Sequence, residues 1–135
     1  MVADFAGASR ILCVMTGGIS SPMPKNPHRL QDETSLAMHA RVVEELERDP
    51  SLVRIASENI ARWSRRNADS PGLMACYAEW GTILARGLAE VVRVLKDKSE
   101  EGDRLRQNSP FAGILTPQEV WRIKSEVRAR WRAAL

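Results

Sequence analysis

Little in these 135 residues belongs to the vocabulary of catalysis or disulfide chemistry. There are two cysteines, two histidines and one tyrosine, and aromatic residues make up 5% of the chain. Cys13 and Cys76 form no CxxC spacing, and no pair of histidines accompanies them. That excludes a disulfide framework and a Cys/His zinc site, and a reducing cytoplasm is the expected setting. Cys76 falls in a helical apolar pattern and reads as a small core residue. No apolar run approaches the ~18 residues that span a bilayer, so no membrane partner is expected. The run over residues 11–15 is too short for the core of a signal peptide. Strict two-residue alternation, the mark of a half-buried strand, is missing throughout, as is any fixed-period repeat.

Catalytic motifs are missing as well. The chain has no HxxxH pair, no GxSxG elbow, no Walker loop and no GxGxxG. Thr16-Gly17-Gly18 lacks the lysine and following helix of a phosphate cradle. The Glu-x-x-His pairs of helix-bundle metal sites are not there either. His28 stands beside Pro27, and His39 lies mid-helix, where a partly exposed side chain is expected. The expectation is therefore no catalytic residue, no metal, no cofactor and no small-molecule substrate.

What is present is an ordinary globular composition, 44% apolar and 27% charged, enough for one core at this length. Glycine and proline crowd residues 1–28, with Gly7, Gly17, Gly18, Pro22, Pro24 and Pro27. That stretch reads as a flexible leader, in which Met15 and Met23 are alternative starts. Residues 29–135 read as the helical domain. The fold expected is all-α, a single compact bundle of five or six helices.

Apolar spacing and caps place those helices. The first spans about 32–48, with Leu36, Ala40, Val43 and Leu46 or Glu47 along its inner stripe. Asp49-Pro50 ends it and starts a second helix, running to about Arg66 with Leu52, Ile55 or Ala56, Ile60 and Trp63. Ser70-Pro71 opens a third, carrying Leu73, Tyr77, Trp80 and Ile83 or Leu84, with a break near Arg86. A fourth carries Leu88, Val91, Val92 and Leu95 and ends near Asp97. Ser99 caps a short charged helix through Gln107. Residues 108–115 form a connector. Thr116-Pro117-Gln118-Glu119 combines an N-cap, a proline at the first helical position and the Glu of a capping box. Val120, Ile123, Val127 and Trp131 line the helix that follows.

The formal charge is +3, from 20 basic and 17 acidic residues. The excess sits at the C-terminal end. There Arg122, Lys124, Arg128, Arg130 and Arg132 face only Glu119 and Glu126. Glu44, Glu45, Glu47 and Asp49 cluster at the end of the first helix. Glu44–Arg48, Glu58–Arg62 and Glu126–Arg130 have the spacing and order of stabilising helical ion pairs. Of the four tryptophans, Trp63 and Trp80 read as core anchors. Trp131, among arginines near a helix end, suits either exposure or a partner contact.

Two segments carry a resemblance. Arg29-Leu-Gln-Asp-Glu-Thr-Ser-Leu-Ala-Met-His39 opens the helical body, and Ser109-Pro-Phe-Ala-Gly-Ile-Leu-Thr-Pro-Gln-Glu-Val-Trp121 opens the last helix. With Asp49-Pro50 and Ala-Arg-Trp63 between them, residues 29–131 resemble small all-helical bacterial proteins that look like the antitoxin halves of toxin–antitoxin pairs. The resemblance implies a cognate toxin as partner, of the nucleotidyltransferase type. It implies neutralisation by direct binding that occludes the toxin's active site. Such an inhibitor needs a rigid surface of complementary charge rather than an active site. The candidates for that surface are Arg29, Asp32, Glu33, His39, Glu44, Glu45, Glu47, Phe111 and Trp131. Equally, the acids solvate the first helix and Phe111 plugs the bundle. Inhibitors of Fic-type toxins are similar at Glu101-Gly102, but Asp97 stands where their motif has a hydroxyl residue.

The alternative is a helical DNA-binding transcriptional regulator, a reading that can coexist with the first because many antitoxins autoregulate. Its contacts would be the basic Arg122, Lys124, Arg128, Arg130 and Arg132 of the last helix. A third reading is a small helical enzyme with an unrecognised site.

Overall fold

The computed structural model describes residues 27–134. The leader expected over residues 1–28 lies outside them except for its last two positions, which begin the first helix. Among the described residues there are six α-helices, one 3-10 turn and no strand. They are α1 (Pro27–Arg48), the 3-10 turn Pro50–Leu52, α2 (Val53–Arg66), α3 (Pro71–Ala85), α4 (Leu88–Lys96), α5 (Glu100–Arg106) and α6 (Pro117–Ala133). No described helix is long and apolar enough to cross a membrane.

α1 is the axis of the bundle. It packs against α4, α5 and α6, while α2 packs against α3. Contact on several sides explains why its buried stripe departs from the expected one. His39, Val42, Val43 and Leu46 are buried, Leu36 is half-buried and Ala40 is exposed. The stripe is turned by about one residue. His39, expected to be partly exposed, is 8% accessible.

The caps form largely as their chemistry dictates. The Asp49 side chain accepts from Ser51 N–H, but a 3-10 turn intervenes before α2 begins. Thr116 and Glu119 form the full capping box. Ser99 accepts from the backbone N–H of Gly102. Ser70 has no such side-chain bond, and Pro71 alone marks the start of α3. α3 ends at Arg86 because Gly87, at φ +104°, takes a conformation that disfavours any residue with a Cβ.

The core joins Val43 and Leu46 of α1 to Ala56, Trp80, Val91, Leu95, Phe111 and Val127. Trp80 meets Phe111 edge to face at 5.6 Å and donates its indole N–H to the Leu105 carbonyl at 2.9 Å. A smaller cluster pairs Trp63 with Tyr77. Cys76, expected in the core, is half-buried.

Candidate functional site

The acidic cluster at the end of α1 holds three of the expected partner contacts, Glu44, Glu45 and Glu47. Arg41 reaches Glu45 at 2.6 Å, Glu119 at 3.1 Å and Glu44 at 3.5 Å. Arg48 also pairs with Glu45. Hydrogen bonds from Arg48 and then Arg41 hold the Glu45 carboxyl below its ordinary range. Much of this negative charge is thus answered from within the bundle. Glu44 and Glu47 remain exposed, and Arg29 is exposed near the start of α1.

None of the three expected i,i+4 ion pairs forms. Arg48 turns to Glu45 instead of Glu44. Arg62 donates to the Asn59 side chain instead of Glu58. Arg130 faces an open groove instead of Glu126. Arg48 and Arg62 thus take a partner three residues back on their own helix, which an i,i+4 pair worth only a few tenths of a kcal/mol does not prevent.

Two partner-facing candidates are corrected by their burial. His39 hydrogen-bonds through Nδ1 to the Ser35 carbonyl at 2.7 Å, and burial lowers its pKa to about 4. Phe111 is 4% accessible and packs on Trp80. The connector around it is clamped by buried Asn59, whose side-chain NH₂ donates to the carbonyls of Pro110 at 2.8 Å and Ala112 at 2.9 Å. Both side chains serve the core, where a partner does not reach them.

Arg106 escaped the sequence reading. It is 3% accessible and donates to the carbonyls of Val94, Leu95 and Asp97 and to the Asp103 carboxylate. It therefore satisfies carbonyls left open at the end of α4. The sequence marks this stretch only as a short charged helix, which gives no sign of the role.

The largest exposed apolar side chain lies on α6. Trp121 is 71% accessible. Helical spacing puts it in one outward stripe with Ser125, Arg128 and Arg132, with Arg122 and Lys124 to either side. These four cations and Arg130 form no ion pair among the described residues. The sequence reading named the cations but gave Trp121 no role. Its exposure follows from the register in which Ile123 and Val127 turn inward.

The third feature is an open surface groove of about 450 Å³ where α1, the end of α4 and α6 meet. Leu36, Ala37, Ala40 and Leu95 give it apolar walls. Lys96, Lys98, Arg130 and Glu33 supply charge. Beside it Trp131 donates its indole N–H to Glu33 at 2.6 Å. So two of the expected partner residues engage each other, although Trp131 stays half-buried and Glu33 exposed. Among the described residues no group of three or more His, Cys, Asp or Glu is placed to hold a metal ion.

No family model matches the chain, and no curated protein or solved structure is similar to it.

Proposed function

We propose that this chain is a non-enzymatic, antitoxin-like interaction protein of the bacterial cytoplasm, which neutralises a cognate toxin by binding it and covering its active site. The observation that carries the reading is Trp121, 71% exposed on α6 within a row of cations. Burying an indole removes roughly 150–250 Å² from water, on the order of 4 kcal/mol before ordering costs. Tryptophan and arginine are the residue types that most often dominate binding energy at interfaces. The scaffold suits the role, since α6 is held to α1 by the Arg41–Glu119 ion pair and the Trp131–Glu33 hydrogen bond. On this reading the contact lies on α6 rather than at the acidic end of α1, where Glu45 is paired with Arg41 and Arg48.

The test is co-expression with the product of the neighbouring gene, followed by co-purification and growth rescue. A stable complex with restored growth supports the reading. A neighbour that is harmless and does not co-purify overturns it.

The unpaired cations of α6 favour one second reading, a DNA-binding regulator. It predicts promoter binding whose affinity falls steeply with salt.

A further inference from the structure

We propose that the open groove between α1, α4 and α6 binds a small amphipathic anion, an apolar body carrying one carboxylate or phosphate head. This is independent of the toxin reading and rests on a different surface.

The first argument is charge. Six arginines of the bundle, Arg41, Arg48, Arg86, Arg93, Arg104 and Arg106, have carboxylate partners, while others, such as Arg122, Arg128 and Arg132 on α6, stand exposed without one among the described residues. At the groove, Lys96, Lys98 and Arg130 form no ion pair among the described residues. Three cations line it beside a single carboxylate, Glu33. One Glu33 oxygen already accepts the Trp131 indole N–H at 2.6 Å. The lining therefore carries a net positive charge. Arg130 offers the planar fork that grips a carboxylate or phosphate through two bonds.

The second argument is shape. α1 carries alanine at 37 and 40, so nothing from that helix fills the space beside Leu36 and the fully buried Leu95. The resulting volume of about 450 Å³ falls inside the roughly 300–1,000 Å³ of small-molecule sites. An apolar trough with cations at its edge is complementary to a chain or ring with an anionic end. A strongly hydrated sugar or a cation fits neither half.

Decanoate, decyl phosphate, decanol and decyltrimethylammonium are the probes, titrated below their micellar concentrations into the full chain by calorimetry. Decanoate, decyl phosphate or both should bind at one site per chain, at least ten-fold more tightly than decanol, with no binding of the ammonium. The stronger of the two identifies the head group. Arg130→Glu and Lys98→Glu should each weaken binding about ten-fold. Ala40→Leu, which fills the trough from an exposed position, should abolish it with the helical circular-dichroism signal unchanged. Failure of both anions to bind overturns the proposal. So does binding that decanol matches, or that survives both Arg130→Glu and Ala40→Leu.

Discussion

The indole of Trp131 and the carboxylate of Glu33 hydrogen-bond at 2.6 Å although 98 residues separate them in the chain. The bond fastens the C-terminal part of α6 to the N-terminal half of α1, beyond the reach of the buried Val127. Trp131→Phe keeps an aromatic ring but removes the donor and part of the indole's packing. Loss of the bond should cost about 1 kcal/mol, the net worth of an accessible hydrogen bond. Glu33→Gln retains an acceptor and should cost less. In a Glu33→Ala background, Trp131→Phe should cost less than in the wild type by about the worth of the bond, the lost packing remaining. Urea denaturation of the four proteins measures this coupling, and purely additive losses would show that the bond contributes nothing.

His39 makes stability depend on pH in a defined window. Its ring is buried and bonded to Ser35, and its pKa falls from the ordinary 6.5 to about 4, chiefly through burial. The folded state therefore prefers the neutral ring, whereas the unfolded chain takes up a proton near pH 6.5. Stability is full above that pH and declines as the pH drops towards 4, by on the order of 3 kcal/mol. Glu45, with its carboxyl pKa depressed, loses its stabilising contribution only as the pH falls further through the carboxylate range. The urea midpoint of His39→Leu should change much less than that of the wild type between pH 7 and 4.5. Identical pH profiles would locate the effect in another group.

What was legible in the sequence is the set of helices and their ends. Apolar spacing and hydrogen-bonding caps are local, so the capping box at Thr116, the cap at Ser99 and the break at Arg86 could be read directly. Facing was less legible. A helix touched from several directions buries more than one stripe, so His39 went inside while Ala40 stayed out. Arg106 was illegible for a related reason. Its partners are backbone carbonyls at the end of the preceding helix, and carbonyls carry no residue identity. Trp121 was visible as a tryptophan in a helix, but only the inward turn of Ile123 and Val127 decides that it faces water.

Two glycines should respond oppositely to the same substitution. A methyl group at Gly81, inside α3, meets nothing within 4 Å. Gly81→Ala should stabilise by about 1 kcal/mol through helix propensity and raise Tm by about 3 °C. At Gly102 the added carbon would sit 2.2 Å from the Asp97 carbonyl oxygen. That oxygen cannot withdraw freely, because it accepts from buried Arg106 at 2.5 Å. Gly102→Ala should destabilise by about 2 kcal/mol or more. Thermal melts of both variants decide the point, and a Gly102→Ala protein as stable as wild type would show that the α4–α5 turn yields easily.

The partner surface can be mapped by setting α6 against α1. If Trp121 anchors the toxin, Trp121→Ala should weaken the complex by about 2 kcal/mol or more, some thirty-fold, with Tm almost unchanged because the side chain is exposed. Arg128→Glu should weaken it further by opposing an acidic partner surface. Glu44→Lys and Glu47→Lys on α1 test the competing location, since both acids are exposed. Glu45→Lys is the wrong probe: it would break the pairs with Arg41 and Arg48 and confuse stability with binding. Loss of affinity confined to the α6 variants places the toxin on the tryptophan stripe. Loss confined to Glu44→Lys and Glu47→Lys returns it to the acidic end of α1 and removes Trp121 from the interface.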